Sequence, residues 1–395
     1  MIYLDNAATS FPKAPGVGEA MAAFIQRDAA NPGRAGYRMA VAAERMVDDV
    51  RLKLTRLFNG AGHERMVLTH NGTDALNMAI KGVVGACGGQ GLVPHVVTTV
   101  LEHNSVNRPL QALADAGRIA LTRVDCDDSG RVDPEDIAAA LTSETKLVVL
   151  THASNVTGVI QDAAAVGALC RKRGVLFLLD AAQTAGVVGV DIEAMQIDLL
   201  AFPGHKGLLG PTGTGGLYVG ERCPGSGEAT TAGRFAPFRE GGTGGDSAAS
   251  VQPLGYPHYL EAGTPNTVGL AGLQVAVDVV QSKPLAKVLA HEQRLCATLV
   301  EWVESCVGCR LLGSADPTSR VGTVSFGVEG LEASDVALIL DDSFDIAVRA
   351  GLHCAPYTHR RFGTFPSGAV RVSVGALTTA DEIGRLIEAL GEIVG

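Results

Sequence analysis

No apolar run in this 395-residue sequence is long enough to cross a membrane. The start, Met1-Ile2-Tyr3-Leu4-Asp5-Asn6, lacks the basic and apolar regions of a signal peptide. Positive charge is short as well: 32 Lys and Arg against 42 Asp and Glu leave a net charge of −10. That balance argues against nucleic acid or an anionic membrane as the main partner, and a cytoplasmic protein is expected. The eight cysteines lack the dense spacing of a disulfide scaffold. One pair, Cys306-Val307-Gly308-Cys309, has CxxC form, but neither a thioredoxin-like context nor a second pair accompanies it. Lying between an amphipathic helix (Glu292 to Glu304) and an apolar strand, it reads as filler at a turn. The ten histidines show no HxxxH or paired-cysteine zinc spacing, so no metal site is expected. There is no GK[ST] phosphate loop, and no G-x-G-x-x-G opens a crossover helix. The second absence makes a dinucleotide-dependent dehydrogenase improbable.

Apolar residues make up 46% of the chain, enough for large buried sheets, and the length favours two domains. From Met66 to Val219 short apolar runs alternate with helical patterns. The runs are Met66 to Thr69, His95 to Val100, Ile119 to Val124, Leu147 to Thr151, Val175 to Leu179, Ile197 to Phe202 and Gly216 to Val219. Helix-period segments such as Thr73 to Val84, Val106 to Ala116, Pro134 to Leu141 and Ala163 to Arg173 lie between them. This alternation predicts an α/β architecture with a mostly parallel, doubly covered sheet. Ligands of such sheets bind beyond the carboxyl ends of the strands. Cys223 to Ser250, rich in Gly, Ala, Ser and Thr, reads as a long surface loop. Beyond Asn266, two long helices, short strands and a last helix predict a smaller α+β domain.

The residues after the strand runs carry the chemistry. Lys206 sits in a glycine-flanked turn, Gly204-His205-Lys206-Gly207, at the end of a buried strand. Apolar walls lower a lysine pKa and make its amine a usable nucleophile, and the commonest carbonyl cofactor for such an amine is pyridoxal phosphate. Gly72 and Thr73 open a helix directly after a strand, a place suited to a phosphate, although Thr73 as an ordinary helix cap explains the pattern equally. Asp180 ends an apolar strand and suits a protonated pyridine nitrogen, with Gln183 placed for the ring's phenolic oxygen; the alternative is a helix-capping Asp. His103 is placed to stack on the ring and move protons, and Asn155 to contact cofactor or substrate; the alternatives are a structural histidine and a turn residue. Cys354, in a Gly/Pro-bounded turn five residues after Arg349, is a candidate thiolate. Arg371 is an isolated cation in an apolar strand, satisfied either by a substrate carboxylate or by one from the protein.

In this order the motifs resemble the class V aminotransferase-like (fold type I) pyridoxal phosphate enzymes, and within them the cysteine desulfurases, nearly end to end. Tyr3-Leu4-Asp5-Asn6-Ala7-Ala8-Thr9 resembles the family's opening, and Asn31-Pro32-Gly33-Arg34-Ala35-Gly36 its active-site loop near the N-terminus. Glu102-His103, Ser154-Asn155-Val156, Asp180-Ala181-Ala182-Gln183 and Gly204-His205-Lys206 match its core motifs. Glu261-Ala262-Gly263-Thr264-Pro265-Asn266-Thr267 resembles the segment that reaches the partner subunit's cofactor phosphate, which implies a homodimer and a phosphate contact from Thr264. Arg349-Ala350-Gly351-Leu352-His353-Cys354-Ala355 resembles the catalytic cysteine loop of the SufS-like and selenocysteine lyase-like branch.

The resemblance implies a large domain, residues 16–260, on a mostly parallel seven-stranded sheet covered by helices. It implies a smaller domain from residues 1–15 and 261–395 that carries the cysteine loop. Lys206 would hold the cofactor, Asp180 and His103 would face its ring, and Arg371, with Asn155, Arg34 and Arg349, would bind the substrate. Cys354 would take sulfur from L-cysteine as a persulfide and leave alanine, with a protein sulfur acceptor to follow. The family often carries Ser two residues before the His of the Gly-His-Lys run. Pro203 stands there instead and moves that phosphate contact onto Thr73, His205 and Thr264. Rival readings are a selenocysteine lyase, another C–S lyase or aminotransferase on the same scaffold, and a non-catalytic homologue that binds a sulfur carrier.

Overall fold

A computed structural model of the chain describes residues 1–33, 36–87, 93–223, 235–243, 248 and 250–395. Its strands are β1 (Ile2–Tyr3), β2 (Met66–Thr69), β3 (His95–Thr99), β4 (Ala120–Val124), β5 (Thr145–Thr151), β6 (Leu176–Asp180), β7 (Leu199–Pro203) and β8 (Gly215–Val219), then β9 (Cys309–Leu311), β10 (Thr323–Val328), β11 (Ile346–Ala347), β12 (Arg349–Gly351) and β13 (Ala369–Ser373). The helices are α1 (Val17–Arg27), α2 (Arg38–Leu57), α3 (Gly72–Cys87), α4 (Asn104–Asp115), α5 (Pro134–Ala140) and α6 (Ala163–Arg173), then α7 (Thr267–Gln281), α8 (Leu285–Ser305), α9 (Ala333–Phe344), α10 (Pro356–Arg361) and α11 (Ala380–Val394). None of them is long and apolar enough to cross a membrane.

Seven strands form one sheet in the order β2-β8-β7-β6-β5-β3-β4. The pairs among β3, β4, β5, β6 and β7 are parallel, whereas β8 runs antiparallel to both β7 and β2. The sheet is therefore mostly parallel, as the alternation predicts. Its strands read as near-continuous apolar runs because helices cover both faces. One face packs Val97, Val148, Leu150, Leu179 and Leu200 into a core shared with α2, α6 and α7. The other packs Val96, Leu147, Val149, Leu178 and Leu199 against α3 and α4. Alternate residues of each strand thus feed opposite cores, as a period of two requires.

A four-stranded antiparallel sheet, β12-β13-β10-β9, is backed by α8, α9 and α11. Arg371 of β13 lies opposite Arg349 of β12 and Ser325 of β10. The N-terminal strand β1 pairs in parallel with β11, which draws Asp5 to Ser373 at the end of β13. Helix α7, beyond residue 261, packs its apolar face with the first core of the large sheet, alongside α1 and α2. Most of the expected loop from Cys223 to Ser250 lies outside the described residues.

Candidate active site

The parallel strands β5 and β6 end in register, Thr151 opposite Asp180, and Asp180 lies opposite Ala201 of β7. Their carboxyl ends therefore deliver the following turns to one place. Asp180 Oδ1 accepts the Ala182 N–H (2.9 Å) and starts a tight turn through Gly186. That turn presses on the lysine turn. A Cβ on Gly186 (φ +86) would lie 2.4 Å from the Gly207 carbonyl, and one on Gly207 would lie 2.6 Å from the Ala185 carbonyl. Only glycine allows this approach, which seats Lys206 beside Asp180. Lys206 lies on the connection between the antiparallel neighbours β7 and β8, so no crossover helix covers it.

Burial pushes the Lys206 amine down to about 8; Asp180 opposes that shift and Arg371 adds to it. Burial also raises Asp180, against the pull of the Ala182 N–H and Lys206. No hydrogen bond from the described residues occupies the lysine amine. The N-terminal strap holds the lysine turn from outside. Ser10 N–H (3.0 Å), Thr9 Oγ1 (3.0 Å) and Lys13 Nζ (2.9 Å) all donate to the His205 carbonyl.

His103 caps α4: its Nδ1 accepts the Ser105 N–H at 3.1 Å, which leaves the ring proton on Nε2. Burial first, then Lys206, Arg349, Arg371 and Arg108, press its pKa down to about 4, so the ring is neutral at pH 7. Thr73 is not the cap of α3. Asn71 Oδ1 takes the Asp74 N–H (2.8 Å), and the Thr73 hydroxyl pairs with Ser105 Oγ (2.7 Å). The N–H groups of Gly72 and Thr73 have no partner among the described residues.

Lys206, Asp180, His103, Thr73, Arg371 and Cys354 share one cavity of about 240 Å³. Gly72, Asn155, Gln183, His205 and Arg349 also line it. Thr264 does not: it is exposed and lines a separate cavity with Arg51 and Glu261. Arg34 lies outside the described residues. Gln183 donates to the Ala7 carbonyl at 3.2 Å.

Arg371 has a protein carboxylate after all. Its Nη2 donates to Asp5 Oδ1 at 2.6 Å and its Nη1 to the Asn155 carbonyl at 3.1 Å, while its buried Nε has no partner. Asp5, Thr9, Ser10 and Lys13, which support Arg371 and the lysine turn without lining the cavity, are among the residues that sequence reasoning missed. For Asp5 a signal existed: a carboxylate next to apolar Leu4, in a chain with a lone apolar-strand arginine to match.

Cys354 is exposed at the cavity, and both His353 (φ +48) and Cys354 (φ +57) are left-handed. Two such residues in a row are strained without support. The support is visible: Asn155 Nδ2 donates to the His353 carbonyl (2.7 Å), and Asn104 N–H donates to the Cys354 carbonyl (2.6 Å). The His353 ring is buried against His359, whose Nδ1 is paired with Thr364 Oγ1 at 2.8 Å.

Comparison with known proteins agrees with this geometry. The family model described as aminotransferase class-V matches residues 2–386. A probable cysteine desulfurase of Methanothermobacter thermautotrophicus is 34% identical, over 100% of this chain and 95% of its own length. One from Pyrococcus abyssi is 31% identical, over 100% and 94%. Among solved structures, the apo cysteine desulfurase of Thermococcus onnurineus superposes with a TM-score of 0.86 at 31% identity, covering 100% of this chain and 94% of that one. The cysteine desulfurase CsdA of Escherichia coli gives 0.85 at 26% identity, covering 100% and 95%.

Proposed function

The chain belongs to the aminotransferase class-V family, and on that footing we propose that it is a pyridoxal phosphate-dependent cysteine desulfurase. It converts L-cysteine to L-alanine and leaves the sulfur as a persulfide on Cys354. The observation that carries this reading is an exposed thiol and an amine of lowered pKa in one cavity, Cys354 and Lys206. Transamination has no use for a thiol there.

The residues present fit the cofactor. A cavity of about 150 Å³ accepts a benzene ring, and this one is larger, at about 240 Å³. Lys206 would be the attachment point, and buried Asp180 would pair with the pyridine nitrogen. Gln183 would serve the phenolic oxygen, and His103 the ring. The unpaired N–H groups of Gly72 and Thr73, at the positive end of α3, suit the phosphate, with His205 beside them. Thr264, exposed and outside this cavity, would supply the last phosphate contact to the partner in a homodimer. The homodimer, a cytoplasmic location and a protein sulfur acceptor rest on the resemblance alone.

Bound pyridoxal phosphate supplies an electron sink next to the amino acid's Cα. The side chains do the rest. The unpartnered Nε of Arg371, backed by Asp5 and the Asn155 carbonyl, holds the substrate carboxylate, with Arg349 opposite it on β12; a part for Arg34 rests on the resemblance alone. The Lys206 amine takes the Cα proton, as a base of pKa near the working pH should. The neutral His103 ring exchanges its Nε2 proton with the substrate thiol. Cys354 Sγ, as thiolate, attacks the substrate sulfur. The C–S bond breaks as an S–S bond forms on the enzyme, Cβ takes up the proton that Cys354 gave up, the proton held by Lys206 returns to Cα, and alanine departs.

The test quantifies alanine and sulfide (or selenide) from L-cysteine and L-selenocysteine, with and without reductant. Cys354→Ala should keep the bound cofactor and lose alanine formation from L-cysteine. Unchanged alanine formation would make the protein a direct C–S lyase.

A further inference from the structure

The CxxC pair lies well away from the cavity in sequence, in the turn between α8 and β9. Cys306 follows the last residue of α8, its N–H bonded to the Trp302 carbonyl. Cys309 opens β9, the edge strand of the four-stranded sheet. The Cys309 N–H donates to the Cys306 carbonyl at 3.1 Å and closes a four-residue turn. Gly308, at φ +85, occupies the position of a type II turn that favours glycine. Val307 at the tip is 94% exposed.

Such a turn holds its first and last Cα atoms within about 7 Å, the range of about 4.4–6.8 Å that a disulfide spans. The Cys306 thiol stays within the turn, donating to the Val307 carbonyl at 3.6 Å. Both residues are half-buried and free, as is Cys87, whereas Cys126, Cys170, Cys223 and Cys296 are buried, and Cys354 belongs to the cavity. Spacing alone leaves this pair as turn filler; the closed turn, which brings the two residues within disulfide reach, gives it chemistry.

We propose that Cys306 and Cys309 are a redox-active dithiol, a reversible disulfide site separate from the amine–thiol cavity, whose oxidants are low-molecular-weight disulfides. Cys306 reacts first, because burial and the neighbouring thiol hold Cys309 protonated, its pKa pushed up to about 12. Cys306 gives up its proton and attacks one sulfur of the oxidant. The oxidant's S–S bond breaks, and one thiol leaves with that proton. The Cys309 sulfur then displaces the second thiol from the Cys306 sulfur as its own proton is released. The protein loses two hydrogens with two electrons, and the oxidant becomes two thiols. The pair sits at the carboxyl end of α8, where the helix dipole disfavours a thiolate. The reduced form therefore gains no stabilisation of the kind that makes some CxxC pairs strong oxidants, and the disulfide should persist once formed.

The holoenzyme is incubated with excess oxidised glutathione, alkylated with iodoacetamide, digested and analysed by mass spectrometry. A parallel sample is unfolded in urea. The expected result is an unlabelled peptide spanning residues 306–309 that is two hydrogens lighter, regains two labels after dithiothreitol, and forms at least tenfold faster in the folded protein. Cys306→Ser should leave Cys309 as a single labelled or glutathionylated site, with alanine production unchanged. Two alkylated cysteines, a mixed disulfide that goes no further, or equal rates folded and unfolded would each overturn the proposal.

Discussion

The Asn155 side chain donates to the His353 carbonyl at 2.7 Å, while its own carbonyl accepts from Arg371 Nη1 at 3.1 Å. One residue thus touches both the carboxylate-binding arginine and the left-handed turn that presents Cys354. Asn155→Ala removes the donor and leaves a buried carbonyl short of a partner, at a cost of about 1–3 kcal/mol. Alanine formation from L-cysteine should fall roughly tenfold to a hundredfold. Cofactor absorbance should be retained, because His103, Asp180 and Lys206 are untouched. A variant with wild-type turnover would show that the Cys354 turn needs no such prop.

Arg371 offers the substrate one fork of a guanidinium already pinned by Asp5. Arg371→Lys keeps a cation but loses the planar pair of donors. The arginine touches the carboxylate and not the breaking bond, so the effect belongs mainly in KM. KM for L-cysteine should rise roughly tenfold or more, with a smaller change in kcat. Initial-rate kinetics decide it: an unaltered KM contradicts the assignment.

The Lys206 amine, with its pKa lowered to about 8, is mostly protonated below that pH and mostly neutral above it. Covalent attachment of pyridoxal phosphate needs the neutral amine. Uptake by the apo protein should therefore quicken as pH rises and level off above about 8. Asp180 holds the lysine pKa up, so Asp180→Asn should move the midpoint to lower pH even where it weakens binding. Stopped-flow absorbance reads both; a midpoint unmoved by the substitution would separate the two groups electrostatically.

The large sheet was legible because most of its strands are short apolar runs and several are followed by a chemically distinctive residue; β6 ends in Asp180, and Lys206 follows β7. The elements left uncalled have physical reasons. Helix α10 has six residues and β12 three, too few to display a period. In α2 the buried face mixes Ala40, Ala43, Val47, Val50 and Leu54 with buried Arg51 and Thr55, so apolar residues alone do not mark it out. The missed residues share one cause. Asp5 meets Arg371 across 366 positions, and Lys13 meets His205 across 192. Neither pairing leaves a local pattern. The antiparallel course of β8 is likewise a tertiary choice, since a buried apolar strand reads the same in either direction.

Glu292, on α8, is fully buried at a small cavity of about 40 Å³ that Lys206 also lines, and its Oε2 accepts the Gly322 N–H at 2.9 Å. Burial raises its pKa from 4.5 to about 8, with the Gly322 N–H pulling the other way. The unfolded chain releases this proton near 4.5 and the folded protein only near 8. Between those values the folded state holds the extra proton, and stability falls as pH rises. Buried Glu102, pushed up to about 8 by the same cause, adds to the slope. Glu292→Gln keeps the acceptor for Gly322 and cannot ionise. It should raise stability at pH 8–9 by about 1–3 kcal/mol, after allowance for relaxation around the charge. It should change little near pH 5, and it should flatten the decline of Tm with pH. Thermal melts of the apo protein across that range measure both effects, and parallel curves for wild type and variant would mean that Glu292 ionises in the folded protein as freely as in water.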